Sequence, residues 1–289
     1  MRLRADLILL LAAVIWGTAF AVQRVAAQAG SIFMFNGLRF FLGALILLPW
    51  TGLRWNFSRR DWATVLVAGV LLFAGSALQQ LGLEFTTAGN AGFITAVYVV
   101  LVPIVLFFGW HEQAHALSWV AAFIALGGTF LLSTGGEFVF RFGDALELVG
   151  AFVWSLHLIV LGKYAPRVDP IRFAAGQFIV GGGLNLAVGG LLEGSVDIFQ
   201  PTVLGGLIYT GVFSVAVAYT LQVIGQRYTP PTDAALILSL EGVMAALFGW
   251  WWLHESLSPL QLVGCGLIFL AVLLAQAKEL RLKPAEYSG

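Results

Sequence analysis

The chain has 289 residues, of which 60% are apolar and only 10% charged, and its 15 Lys and Arg balance its 15 Asp and Glu. Soluble domains run at roughly 45–50% apolar and about 25% charged, so a soluble fold is excluded. The zero net charge gives no pointer to nucleic acid. The one cysteine, Cys265, excludes an internal disulfide and reads as a small helix-packing residue.

A membrane-spanning helix needs about 20 mostly apolar residues. Such segments recur along the whole chain. Barrel strands would alternate in polarity over about 10 residues, and no such pattern appears. The expectation is an all-α polytopic membrane protein of ten transmembrane helices, near 5–24, 32–50, 63–83, 88–109, 116–133, 144–162, 171–192, 203–225, 232–253 and 259–276. Arg2 and Arg4 before an apolar run, with Ala27-Gln28-Ala29 after it, have the form of a signal peptide. That reading is rejected because Asp6 and Trp16 recur as Asp144 and Trp154, so the first span has an internal counterpart. Short polar breaks punctuate the rest: Gly30-Ser31, Arg59-Arg60-Asp61, Gly135-Gly136-Glu137, Asp169-Pro170 and Pro230-Pro231.

With the N-terminus in the cytoplasm, twelve of the fifteen basic residues fall inside and only Arg24 and Arg141 outside, Arg39 lying within the second span. This bias orients the chain with both termini cytoplasmic.

Two stretches organise the sequence. Residues 86–112 and 229–255 align without a gap at an offset of 143, which sets Thr86 against Thr229, Asn90 against Asp233 and Tyr98 against Glu241. Spans 1–2 align with spans 6–7 at an offset of 138, pairing Trp16 with Trp154 and Arg39-Phe40 with Gln177-Phe178. The chain therefore reads as two five-helix repeats, 1–137 and 138–280, with a cytoplasmic tail at 281–289. Five spans is an odd number, so the second repeat enters the membrane inverted. That is a transporter architecture with a site near the midplane.

The sequence resembles the drug/metabolite transporter superfamily, in its ten-helix EamA family. The resemblance covers essentially the whole chain. It rests on Ile-Trp-Gly-Thr-Ala-Phe at 15–20, Leu-Arg-Phe-Phe at 38–41, Leu240-Glu241 followed by Ala245-Ala246-Leu247, and His-Glu-Ser-Leu-Ser-Pro at 254–259. It implies a central cavity lined by spans 1, 3, 4, 6, 8 and 9, with spans 5 and 10 peripheral. YddG-type amino-acid exporters offer the functional model. One departure is Gly242, where the family often has proline. Pro103 lies near the matching place in span 4, so a kink is expected in one repeat only.

Polar residues at membrane depth are costly and face the bundle interior or water. Glu241 is the strongest candidate, for a proton or for the ammonium of a substrate, with a structural carboxylate as the alternative. Tyr98 closes the cavity opposite it or simply packs. Trp16 and Trp154 suit a cavity wall, since aromatic faces accept apolar or cationic groups. Gln79, Gln80, Gln222 and Tyr219 suit recognition of a polar metabolite or interhelical hydrogen bonds. Glu147 and His157 lie on one face of span 6 and can be read as a proton path, although Glu147 sits near a span end where water reaches it. Arg39 is expected to pair with a carbonyl or an acid near the outer face, with anion binding as the alternative. His111-Glu112 and His254-Glu255 are expected to be structural caps or hinges. The substrate-binding set is thus Trp16, Gln79, Tyr98, Trp154, His157, Tyr219, Gln222 and Glu241, with Glu241 the possible proton site.

No phosphate loop, HExxH motif or basic run occurs. No cofactor, metal or nucleic-acid partner is therefore expected, and no catalytic residue. The reading is a secondary transporter in the bacterial inner membrane. It moves small metabolites, most simply neutral or aromatic amino acids, outward by alternating access. Export of drugs or organic cations and a passive channel are the alternatives, and an intramembrane enzyme is disfavoured.

Overall fold

Apolar helices of 13–27 residues make up most of the chain, as the hydropathy pattern requires. The computed structural model describes residues 1–28, 32–52, 55–193, 200–252 and 256–282 and has no β-strand among them. In order the α-helices are α1 (Arg2–Gln28), α2 (Phe33–Leu47), α3 (Arg59–Phe85), α4 (Ala88–Thr95), α5 (Tyr98–Trp110), α6 (Ala116–Thr134), α7 (Phe142–Tyr164), α8 (Pro170–Leu192), α9 (Pro201–Tyr209), α10 (Thr220–Gly225), α11 (Pro231–Leu238), α12 (Leu240–Trp252) and α13 (Pro259–Leu282). Among the described residues nine helical stretches, from Phe33–Thr51 to Pro259–Ala277, are long and apolar enough to cross a membrane. They correspond to the second to tenth expected spans, and the first expected span is α1.

Local chemistry fixes several ends. Ser58 caps α3 reciprocally with Asp61, satisfying two of the free N–H groups at a helix start. Asp169 accepts from the Arg172 N–H, and Pro170 takes the first position of α8. Glu193, just beyond α8, accepts the N–H groups of Ile32, Phe33 and Met34 at 2.7 Å each. A carboxylate there complements both the unpaired donors and the positive end of the α2 dipole, and it ties the end of α8 in the second repeat to the start of α2 in the first. His111 ends α5 in the left-handed conformation (φ 55°) with its N–H on Phe107 O, and Glu112 pairs with Lys163. His254-Glu255 lies outside the described residues.

Packing follows the repeat. α2 lies against α8, and α6 against α13. α3 packs on α7 much as α10 and the segment before it pack on α1. The α6–α13 crossing is so close that a Cβ on Gly264 would stand 2.5 Å from the Gly128 carbonyl, as small residues at a membrane helix crossing allow.

Spans 4 and 9 are both broken, at matching places. α4 gives way to α5 across Ala96-Val97, and α11 to α12 at Ser239, 143 residues on. The expectation of a kink in one repeat only is thus corrected. In span 4, three-residue backbone bonds close the turn (Val97 to Ile94, Val99 to Ala96), and Pro103 removes a further donor. Span 9 achieves the same without proline. The Ser239 hydroxyl donates to Leu236 O at 2.7 Å, and Gly242 N reaches back only to Ser239 O, at 3.4 Å. Serine back-bonding of this kind bends helices.

Matching polar clusters stand at the two ends of the bundle. At one end the Thr229 hydroxyl donates to Asp6 at 2.7 Å, and Arg2 bridges Asp6 and Asp233 at 3.1 and 2.8 Å. At the other the Thr86 hydroxyl donates to Asp144, which also accepts from the Arg141 N–H at 2.6 Å and from Asn90. The partners are repeat mates throughout: Asp6 with Asp144, Thr229 with Thr86, Asp233 with Asn90.

Candidate functional site

Between the repeats lies an open cavity, with about 550 Å³ of free space counting the solvent at its mouth. Its walls come from both repeats: Trp16 and Gln23 of α1, Arg39 of α2, Gln79 of α3, Thr95 and Tyr98 flanking the first break, Trp154 and Leu158 of α7, and Leu238 and Glu241 flanking the second break. Ser214, Tyr219 and Gln222 complete it. Of the eight side chains expected, seven line the cavity. His157 does not. It is fully buried behind the wall, with Nε2 at 3.0 Å from the Gln177 amide oxygen and its ring 6.3 Å from that of Tyr219.

The two helix breaks carry the central pair. The Tyr98 hydroxyl donates to Glu241 Oε1 at 3.4 Å, joining residues that occupy the same place in the two repeats. A break at membrane depth also frees backbone carbonyls, which is tolerated only where they face protein or a cavity. Here each break borders the same cavity.

Aromatic rings form one wall. Tyr219 lies between the two repeat-related tryptophans, 4.7 Å from the Trp16 ring in an edge contact and 6.3 Å from the Trp154 ring nearly parallel. The Trp16 indole N–H donates to the Ser214 carbonyl at 3.1 Å. That carbonyl is presented by a wide π-helical stretch, Thr210–Tyr219, whereas its counterpart in α3 remains α-helical. Wide turns of this type often mark functional positions.

Two charged residues depart from expectation. Glu147 was expected to be wet at a span end, but it is 1% exposed. Its Oε2 accepts from the Thr95 hydroxyl at 3.2 Å and its Oε1 has no hydrogen-bond partner. The reason is tertiary: α7 begins five residues earlier, and α3 packs over Glu147 at Gly82. Arg39 was expected to pair with a carbonyl or an acid near the outer face. Instead it lines the cavity, 2% exposed, with its guanidinium carbon 5.1 and 5.7 Å from the centres of the Phe40 and Phe35 rings. Its span was not expected to contribute to the cavity, and Gln23, Thr95, Leu158, Ser214 and Leu238 were also missed. The signal for Arg39 was present in the sequence, as the one basic side chain in the middle of a span. Gln80, considered beside Gln79, donates to the Gln23 carbonyl at 2.7 Å instead of lining the cavity. No group of three metal-ligating side chains occurs among the described residues.

Known proteins are similar to this chain in sequence, and a solved structure is similar in fold. An uncharacterized transporter of Archaeoglobus fulgidus is 36% identical over 96% of this chain and 87% of its own length. The threonine/homoserine exporter RhtA of Escherichia coli is 26% identical, over 91% of each chain. The uncharacterized inner membrane transporter YedA of the same species is also 26% identical, over 90% of this chain and 87% of its own. A solved crystal structure superposes with a TM-score of 0.82 at 21% identity, covering 98% of this chain and all of the other, which shows the fold. The model of the EamA-like transporter family matches residues 3–134 and again 141–276, and the chain belongs to that family of membrane transporters.

Proposed function

We propose that this transporter exports neutral or aromatic amino acids by alternating access. The observation that carries the reading is the cavity at the paired helix breaks. It joins the Glu241 carboxyl to an aromatic wall of Trp16, Tyr219 and Trp154. The carboxyl suits an ammonium, the rings an apolar side chain, and Gln79 and Gln222 hydrogen-bond the polar remainder. The name of RhtA, a threonine/homoserine exporter, supports amino acids and the outward direction. The polar clusters at Asp6 and Asp144 supply the two ends that alternate.

The same carboxyl and rings favour a second reading, export of organic cations, which need no anion-binding group. The test is counterflow in proteoliposomes. Vesicles loaded with unlabelled amino acids take up labelled threonine, methionine or phenylalanine, with tetraphenylphosphonium as the competing cargo. Uptake that depends on the internal amino acid is expected, and Glu241→Gln is expected to lower it at least tenfold, or about 1.4 kcal/mol. Counterflow of the cation alone would replace the amino-acid reading. Flux without exchange would indicate a channel.

A further inference from the structure

We infer that Arg39 is the carboxylate-binding residue of the transport site, so that the cavity takes its ligand by both charged ends. This deepens the amino-acid reading and rests on it. A charged side chain at membrane depth is expensive and is normally paired or faces water. Among the described residues Arg39 has no hydrogen-bond acceptor and no acid within 4 Å, and its Nε is buried without a partner. Phe35 and Phe40 hold the guanidinium by their ring faces. Such contacts orient a cation and leave its N–H donors free.

Glu241 stands in the same cavity, yet its bond goes to Tyr98 and no ion pair joins it to Arg39. An acid and a base are therefore kept apart in one cavity. A zwitterion neutralises both, whereas a simple cation leaves the guanidinium uncompensated. The planar fork of arginine also fits a carboxylate with two parallel hydrogen bonds. The repeat points the same way. The mate of Arg39 is Gln177, which is buried and occupied by His157, so the cation is peculiar to the first repeat.

The experiment compares binding of three probes to the purified full-length protein in detergent, by titration calorimetry. They are phenylalanine, 3-phenylpropionate, which lacks the ammonium, and 2-phenylethylamine, which lacks the carboxylate. Arg39→Gln is expected to weaken phenylalanine and 3-phenylpropionate about 30-fold, the scale of a lost charge-assisted contact, and to leave 2-phenylethylamine within about twofold. Arg39→Lys keeps the charge without the fork. It is expected to weaken the two carboxylates alone, about tenfold, and it carries the test should the Gln variant fail to fold. Binding of 3-phenylpropionate that depends on Arg39, with no binding of phenylalanine, would sustain the anion site and overturn the amino-acid reading. Binding of phenylalanine that is indifferent to both substitutions would overturn the role of Arg39 and leave amino-acid transport standing. Equal weakening of all three probes would assign Arg39 to packing alone. Failure of both carboxylates to bind the wild type would overturn both readings.

Discussion

A single methyl group at the crossing of α1 and α12 should disable transport. Gly17 faces the start of α12 so closely that a Cβ would stand 2.6 Å from the Glu241 carbonyl oxygen, 2.7 Å from Met244 Cβ and 2.8 Å from the Ala245 nitrogen. Ordinary contact begins at 3.4 Å, so all three fall short by 0.6–0.8 Å. Two of the opposing atoms are backbone and cannot rotate away. Gly17→Ala must therefore push the two helices apart by most of an ångström, and α12 carries Glu241 at its first turn. Overpacking of this kind costs about 1–3 kcal/mol. It also moves the carboxyl relative to Tyr98, whose bond at 3.4 Å has little length to spare. The expected result is a lowered unfolding temperature together with counterflow reduced at least tenfold, about 1.4 kcal/mol. Gly183→Ala is the control, because its Cβ would meet nothing within 4 Å. It should be neutral, or stabilising by about 0.5–1 kcal/mol through helix propensity. If Gly17→Ala unfolds and transports like the wild type, the close crossing is not what positions Glu241.

The two end clusters should act in opposite senses. Thr229→Val removes the hydroxyl bonded to Asp6, and Thr86→Val the one bonded to Asp144. Each loss, about 1.5–3 kcal/mol for a bond to a charged group, should favour opening at its own end by about tenfold or more. A cysteine placed at Leu158 in the cavity wall, in a Cys265→Ala background, should then react faster with an impermeant maleimide from opposite sides of the membrane in the two variants. Acceleration from the same side in both would remove the latch role. Thr95→Leu with Glu147→Leu copies into one repeat the Leu238 and Leu9 found at the matching places of the other. It deletes a buried carboxyl oxygen without a partner, so the unfolding temperature should rise, and a fall would mean that the carboxyl is compensated where it stands.

Most of the architecture was legible because it is written twice. The offset of 143 alone brought Tyr98 opposite Glu241, and the two side chains share a hydrogen bond. The offset of 138 made Trp16 and Trp154 a pair, and both rings flank Tyr219. What stayed hidden depends on which helix packs over which. Glu147 looked wet from its distance to the span end, but α3 lies across it at Gly82. For Arg39 the sequence points to a partner, because an unpaired charge at that depth is costly. The structure resolves this with two phenyl faces and an open cavity. The break in span 9 has no proline to mark it in the sequence, since it is accompanied by the hydrogen bonds of Ser239 and Gly242 instead. The π-helical stretch around Ser214, which packs against α1 and α2, carries no pattern in the sequence.

Symmetry and its loss divide the labour in this molecule. At the two ends the repeats keep the same chemistry: an aspartate receiving a threonine hydroxyl, with an amide or a second carboxylate beside it. Equal ends suit a cycle in which each must close as the other opens. Around the cavity the tryptophan pair (Trp16, Trp154) and the glutamine pair (Gln79, Gln222) are kept, but other mates in and behind the wall diverge. Arg39 stands against Gln177, Thr95 against Leu238, Glu147 against Leu9, Ser214 against Leu71 and Tyr98 against Glu241. A two-fold symmetric cavity would present a pair of equal groups, and an amino acid has no such symmetry. Placing the base, Arg39, in one repeat and the acid, Glu241, in the other makes the cavity two-ended, as the proposed amino-acid reading requires.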